Sequence, residues 1–147
     1  MTGFVIDRSR TIISAMILGR RVTAQDVAWL RREVFAGGLV TREEADELFA
    51  VARAHMNNAP EWKEFFVEMI ARHVVRQSEP AGAVSEERAA WLLTRVDECR
   101  SDEALAALVN VLAEARSVPQ WFLDAGRARV SGAWPSAGKA LPAATTG

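Results

Sequence analysis

The sequence predicts an all-α protein: a six-helix bundle built from two related three-helix units, with an N-terminal arm and a flexible C-terminal tail. Two observations carry this expectation. Val22-Thr23, Ala28-Trp29-Leu30 and Pro60-Glu61-Trp62 return in order, at nearly constant offset, as Val84-Ser85, Ala90-Trp91-Leu92 and Pro119-Gln120-Trp121, which marks an internal repeat. Apolar residues also recur at helical spacing through both copies, each run opening on a capping side chain or a proline. The divisions expected are an arm over 1–21, a pseudo-duplicated helical domain over 22–130 and a tail over 131–147.

The arm has uncertain structure at Phe4-Val5-Ile6, and Ser9 is placed to cap a helix in which Ile12, Ile13, Met16 and Ile17 lie on one side. That apolar side implies docking on the body. Arg8, Arg10, Arg20 and Arg21 around it give a second reading, a targeting or membrane-surface helix. The longest apolar run, Ile12 to Leu18, is too short to span a bilayer and is interrupted by Ser14. Asp7 before that run also argues against a secretory signal.

Thr23 opens the first helix, with Asp26 complementing its dipole and Val27, Leu30 and Val34 forming its buried stripe. Gly37-Gly38 is the expected stop, because a left-handed C-cap is easiest at glycine. Thr41 and Glu44 form a capping box for the second helix, which buries Ala45, Leu48, Phe49, Ala52 and Met56 and leaves Glu43, Asp46, Glu47 and Arg53 outside. Asn58 is the expected cap of the third, with Pro60 in its first turn and Glu61 completing a box. Trp62, Phe65, Phe66, Met69, Ile70 and His73 then fall within roughly 140 degrees of arc, the richest apolar face in the chain.

Glu79-Pro80-Ala81-Gly82 breaks the chain. Ser85 caps a fourth helix (Ala89, Leu92, Leu93, Val96) and Ser101 a fifth (Leu105, Leu108, Val109, Leu112). Pro119 begins a sixth through Trp121, Phe122 and Ala125, weakened by Gly126 and carrying Arg127 and Arg129 near its end. From Ser131 the composition becomes that of a disordered tail, with Trp134 placed to pin it.

Composition narrows the function. With 147 residues, half apolar and a quarter charged, the chain is long enough for one core without staples. A formal charge of -1 supplies no field for nucleic acid. Cys99 is the only cysteine, which excludes an internal disulfide, fits a reducing, cytoplasmic setting and reads as a buried small hydrophobe. Two histidines, one cysteine and no tyrosine make a thin catalytic inventory, and no GxSxG, P-loop, GxGxxG or paired CxxC is present. His55 and His73 lack metal-ligand spacing, so no catalytic residue, cofactor or metal is expected.

Trp29 and Trp91 stand at matching positions, opposite their helices' buried stripes. Either the two halves or the arm cover them, or they belong to an exposed patch that binds another protein. Trp29, Trp91 and Arg32 are the partner-binding candidates, in a non-enzymatic intracellular interaction or scaffold module whose partner is a protein. Homodimerisation through the arm is the other association left open.

Gly38-Leu39-Val40-Thr41-Arg42-Glu43-Glu44-Ala45 resembles the tellurite-resistance TerB-like helical family, in which a helix, a glycine-containing turn and a Thr/Ser-capped acidic helix recur. Glu44 matches that family's acidic helix position. The resemblance implies a small helical domain associated with stress response. It also gives an alternative function, a divalent-ion-responsive protein with an acidic site at Glu43, Glu44 and Glu47.

Overall fold

Short-range capping decides where most of these helices begin. The structure, a computed structural model, describes residues 16–134; the expectations for Phe4 to Ile13, and for the tail beyond Trp134, lie outside them. Thr23 accepts the Asp26 N–H while the Asp26 carboxylate accepts the Thr23 N–H, and this box opens α1 (Ala24–Trp29). Thr41 and Glu44 make the same reciprocal pair at α2 (Arg42–Arg53). At α3 (Pro60–Ala71) the N-cap is Ala59, with no side-chain bond. Asn58 lies one position too early to cap it. Its Oδ1 instead accepts the Val22 N–H at 2.8 Å, while the Ala59 N–H donates to the Val22 carbonyl, so the entries to α1 and α3 are tied together. Ser85 caps α4 (Glu86–Cys99), Ser101 caps α5 (Asp102–Glu114), and Pro119 precedes α6 (Gln120–Val130).

Two helices end in a way that local signals do not announce. α1 runs on into a π-helical turn, Leu30–Val34, and α3 into another, Arg72–Arg76. The first helical run therefore stops at Val34, with Phe35 closing it, before the glycine pair; Gly38, at φ +85°, forms the turn into α2. The described residues contain no strand, so the protein is all-α there. Among the described residues no helix is long and apolar enough to cross a membrane.

The apolar face of α3 becomes the centre of the core. Trp62, Phe65, Phe66, Met69, Ile70 and His73 are each 4% exposed or less. They pack chiefly toward α5, which also meets α4, α6 and α2, so residues from both sequence halves share one cluster. At about 1.5–3 kcal/mol for each large side chain, this face is a main contributor to stability. Met16 is buried in the same cluster and Ile17 packs against it. Trp134 does so from the other end, with the Arg100 guanidinium 5.4 Å from its ring centroid.

Two glycines stand where the chain turns sharply or helices approach closely. Gly82, at φ +90°, accepts the Arg116 and Ser117 N–H groups through its carbonyl and lashes the mid-chain linker to the α5–α6 turn. A Cβ at Gly126 would lie 2.8 Å from a Leu112 methyl, so its absence lets α6 approach α5. Arg129 does not fray at the end of α6. It is 5% exposed and forms two 2.8 Å bonds to the Asp97 carboxylate on α4.

Removing one member of this sheltered pair strands the other. Arg129→Ala should lower the unfolding free energy by about 3 kcal/mol in urea titrations, whereas combining it with Asp97→Leu should restore most of the loss. A drop below about 1 kcal/mol would mean that water replaces the guanidinium.

Candidate functional site

α2 and α4 meet along a stripe that neither helix reveals alone. Arg42, Asp46, Phe49 and Arg53 face Glu87, Trp91, Arg95 and Glu98, each set about one helical turn apart. Asp46 Oδ1 accepts the indole N–H of Trp91 at 2.9 Å and the Arg95 Nε–H at 3.0 Å. Arg42 grips the Glu87 carboxylate through two nitrogens, at 2.8 and 3.0 Å, and lies 4.7 Å from the Trp91 ring centroid. Phe49 and His73 meet the same indole edge-on at 5.6 and 5.3 Å. At the far end, Glu98 receives Arg95 and Arg53.

Trp91 is consequently 8% exposed, and the expectation that it belongs to a partner-binding surface is corrected. It does lie off its own helix's stripe, but α2, distant in sequence, supplies the cover. Asp46 likewise leaves the simple solvated face assigned to it, while Arg53 stays exposed and pairs with Glu98 at 3.5 Å.

Beside this stripe is an open cleft of about 460 Å³ lined by Asp46, Glu47, Ala50, Arg53, Arg95 and Glu98. Its carboxylates Asp46 and Glu98 are already paired with its arginines. The acidic alternative at Glu43, Glu44 and Glu47 is not assembled. Glu44 turns back to accept the Thr41 N–H and Glu43 is exposed. Among the described residues no group of three or more His, Cys, Asp or Glu side chains is placed to hold a metal ion.

Of the three groups best suited to acid–base or nucleophilic work, His73 and Cys99 are sealed. A guanidinium can only donate, so Arg42 Nε, 3.2 Å from His73 Nε2, makes that nitrogen the acceptor. The proton then sits on Nδ1, which donates to the Val40 carbonyl at 2.9 Å. Burial, reinforced by the charges of Arg42 and Arg88, holds the His73 pKa below the ordinary histidine value. Cys99 is 2% exposed, with its thiol against the Phe49 carbonyl, and burial pushes its pKa up to about 11. His55 is exposed at a left-handed turn.

Trp29 and Arg32 remain at the surface. Trp29 ends α1 half-buried and packed against the core. Among the described residues no acceptor takes its indole N–H, and no ring or guanidinium lies on it. Arg32, on the π-helical turn, is exposed and pairs with Glu33 at 3.1 Å. Neighbouring Arg31 binds Glu68 and lies over Phe65.

The two tryptophans should separate in stability measurements, Trp91→Ala costing about 3–5 kcal/mol and Trp29→Ala about 1 kcal/mol. The pH profile isolates His73. Its folded pKa lies below the unfolded value of about 6.5, so the unfolded chain takes up the proton first and stability falls as pH drops below that value. Glu68, Glu87 and Glu114, held low by hydrogen bonds from Arg31, Arg42 and Arg76, add their losses only as pH falls below the ordinary value of 4.5. Melting temperature should therefore fall between pH 7 and pH 5 in the wild type and far less in His73→Gln; equal slopes would remove His73 from the account. Compared with protein-family models, curated proteins and solved structures, the chain matches none of them.

Proposed function

We propose that this chain is a non-enzymatic interaction module that binds a protein partner through the outer face of α1, centred on Trp29 with Arg32 beside it. One observation carries the reading. Trp29 lies six residues beyond the capping hydroxyl of Thr23, as Trp91 lies six beyond Ser85, yet only Trp91 has its ring and its N–H engaged. A half-buried indole that packs against the core, with no partner on its N–H among the described residues, is preorganised for an interface, where tryptophan contributes more binding energy than most residues.

The same correspondence supports reading 22–130 as two related three-helix units, α1–α3 and α4–α6. Thr41 matches Ser101, and Trp62 and Trp121 each lie two residues beyond their prolines. A neutral, fully bonded His73 and a thiol held protonated favour binding over catalysis. Cys99 as the single cysteine fits a reducing, cytoplasmic compartment. The TerB-like, ion-responsive alternative has no assembled ligand set to favour it.

A photocrosslinking residue introduced at position 29 in living cells tests the proposal. It should yield a discrete protein adduct that fades with Arg32→Glu and is absent when the same group is placed at exposed Val130. Equal labelling from both positions, or none from position 29, would defeat the reading.

A further inference from the structure

We infer that the Trp29 face receives an amphipathic helix from the partner, one that sets a carboxylate against the indole N–H, with a cation one turn before it and an aromatic ring one turn after. This inference rests on the interaction-module reading and names the class of partner. Its template lies inside the molecule. Arg42, Asp46 and Phe49 occupy positions i, i+4 and i+7 of α2, and all three close on Trp91: the guanidinium over the ring, the carboxylate on the N–H, the phenyl ring at the edge. Helical periodicity alone puts three such groups on one face.

Trp29 stands in the same register on a helix opened by the same kind of cap, and lacks every one of those contacts among the described residues. Of the numbered helices, only α3 packs substantially on α1. What α2 does for α4, no numbered helix does for α1. Of the charges within one turn of Trp29, the Asp26 carboxylate is engaged by the Thr23 N–H and Glu33 by Arg32. Arg32 is exposed and, among the described residues, paired with its sequence neighbour Glu33 alone, so it is the group that can turn to a carboxylate arriving at the indole. The π-helical turn directly after Trp29 adds a residue to the next turn of this face. Such interruptions of an α-helix recur at functional sites.

The template supplies its own probe: a fluorescent peptide of residues 41–54, stapled across positions 43 and 47 on its outward side so that helix nucleation does not limit binding. Titrated with the full chain, it should give saturable anisotropy that weakens at least about tenfold, roughly 1.4 kcal/mol, for Trp29→Ala. The peptide carrying Asp46→Ala should bind the wild type correspondingly less well. Against Trp29→Phe, which keeps a ring but no donor, the two peptides should bind alike.

Absence of saturable binding overturns the inference, and so does binding that survives Trp29→Ala, which marks exchange with α2 at Trp91. Self-association of the chain lost on Trp29→Ala in sedimentation would assign the face to a second copy, against this proposal. If the adduct at position 29 persists while the peptide fails, the helical class of partner falls and the interaction-module reading stands; if both fail, so do both readings.

Discussion

The aromatic face of α3 is the constraint from which the rest of the structure follows. Trp62 stacks at a tilt on Phe65 and Phe66, Phe66 meets Phe49 of α2 edge-on at 4.9 Å, and Phe65 meets Phe35 at 5.6 Å. The packing is favourable enough that the Trp62 indole N–H is buried with no hydrogen-bond partner among the described residues, a penalty of about 1–3 kcal/mol. Several large rings, each contributing comparably through burial, outweigh one unmet donor. α3 can satisfy that face only by drawing on both halves of the chain, which is why one core forms.

Once that core has absorbed the large apolar side chains, the seams between helices are left to polar groups. Two solutions appear. Between α4 and α6 the sheltered pair Arg129–Asp97 does the joining at one end, and the Trp121 indole N–H donates to Glu86 at 2.7 Å at the other. Between α2 and α4 the contact is a row of alternating charge laid over an indole, running from Glu87 and Arg42 through Asp46 and Arg95 to Glu98 and Arg53. Its outer members are exposed and individually weak. Its inner members are sheltered by Trp91 and His73 and specify which faces meet.

What could be read from the chain alone follows from the range of each interaction. The caps at Thr23, Thr41, Ser85 and Ser101 span three residues, and all four form as expected. The face of α3 was legible because helical period and hydrophobicity agree there. Asn58 was misread because its preferred partner, Val22, lies 36 residues away. The π-helical turns have no local signature. For Trp91 the sequence leaves two readings, cover by the other half or an exposed patch, and only the contact with α2, 45 residues distant at Asp46, decides for cover. A retrospective signal did exist: Arg42, Asp46 and Phe49 share one face of α2, an unusual mixture for a solvated surface, and complement Glu87, Trp91 and Arg95.

The contrast between the two tryptophans is one of enclosure. If an indole six residues beyond the cap were needed only for stability, Trp29 and Trp91 would both be expected to be enclosed, because an N–H and a large ring left at a surface gain little. Trp91 meets that expectation in full, with an acceptor, a cation and two rings. Trp29 keeps the residue and the register but not the enclosure, so the fold does not depend on what its outer edge touches. The surface around it stays adjustable in charge, through Arg32 and Glu33, without disturbing α3 beneath. Rigid anchoring on one side and adjustable chemistry on the other are what a recognition surface requires, and it is this combination, where α1 gives way to its π-helical turn, on which the proposed interaction face rests.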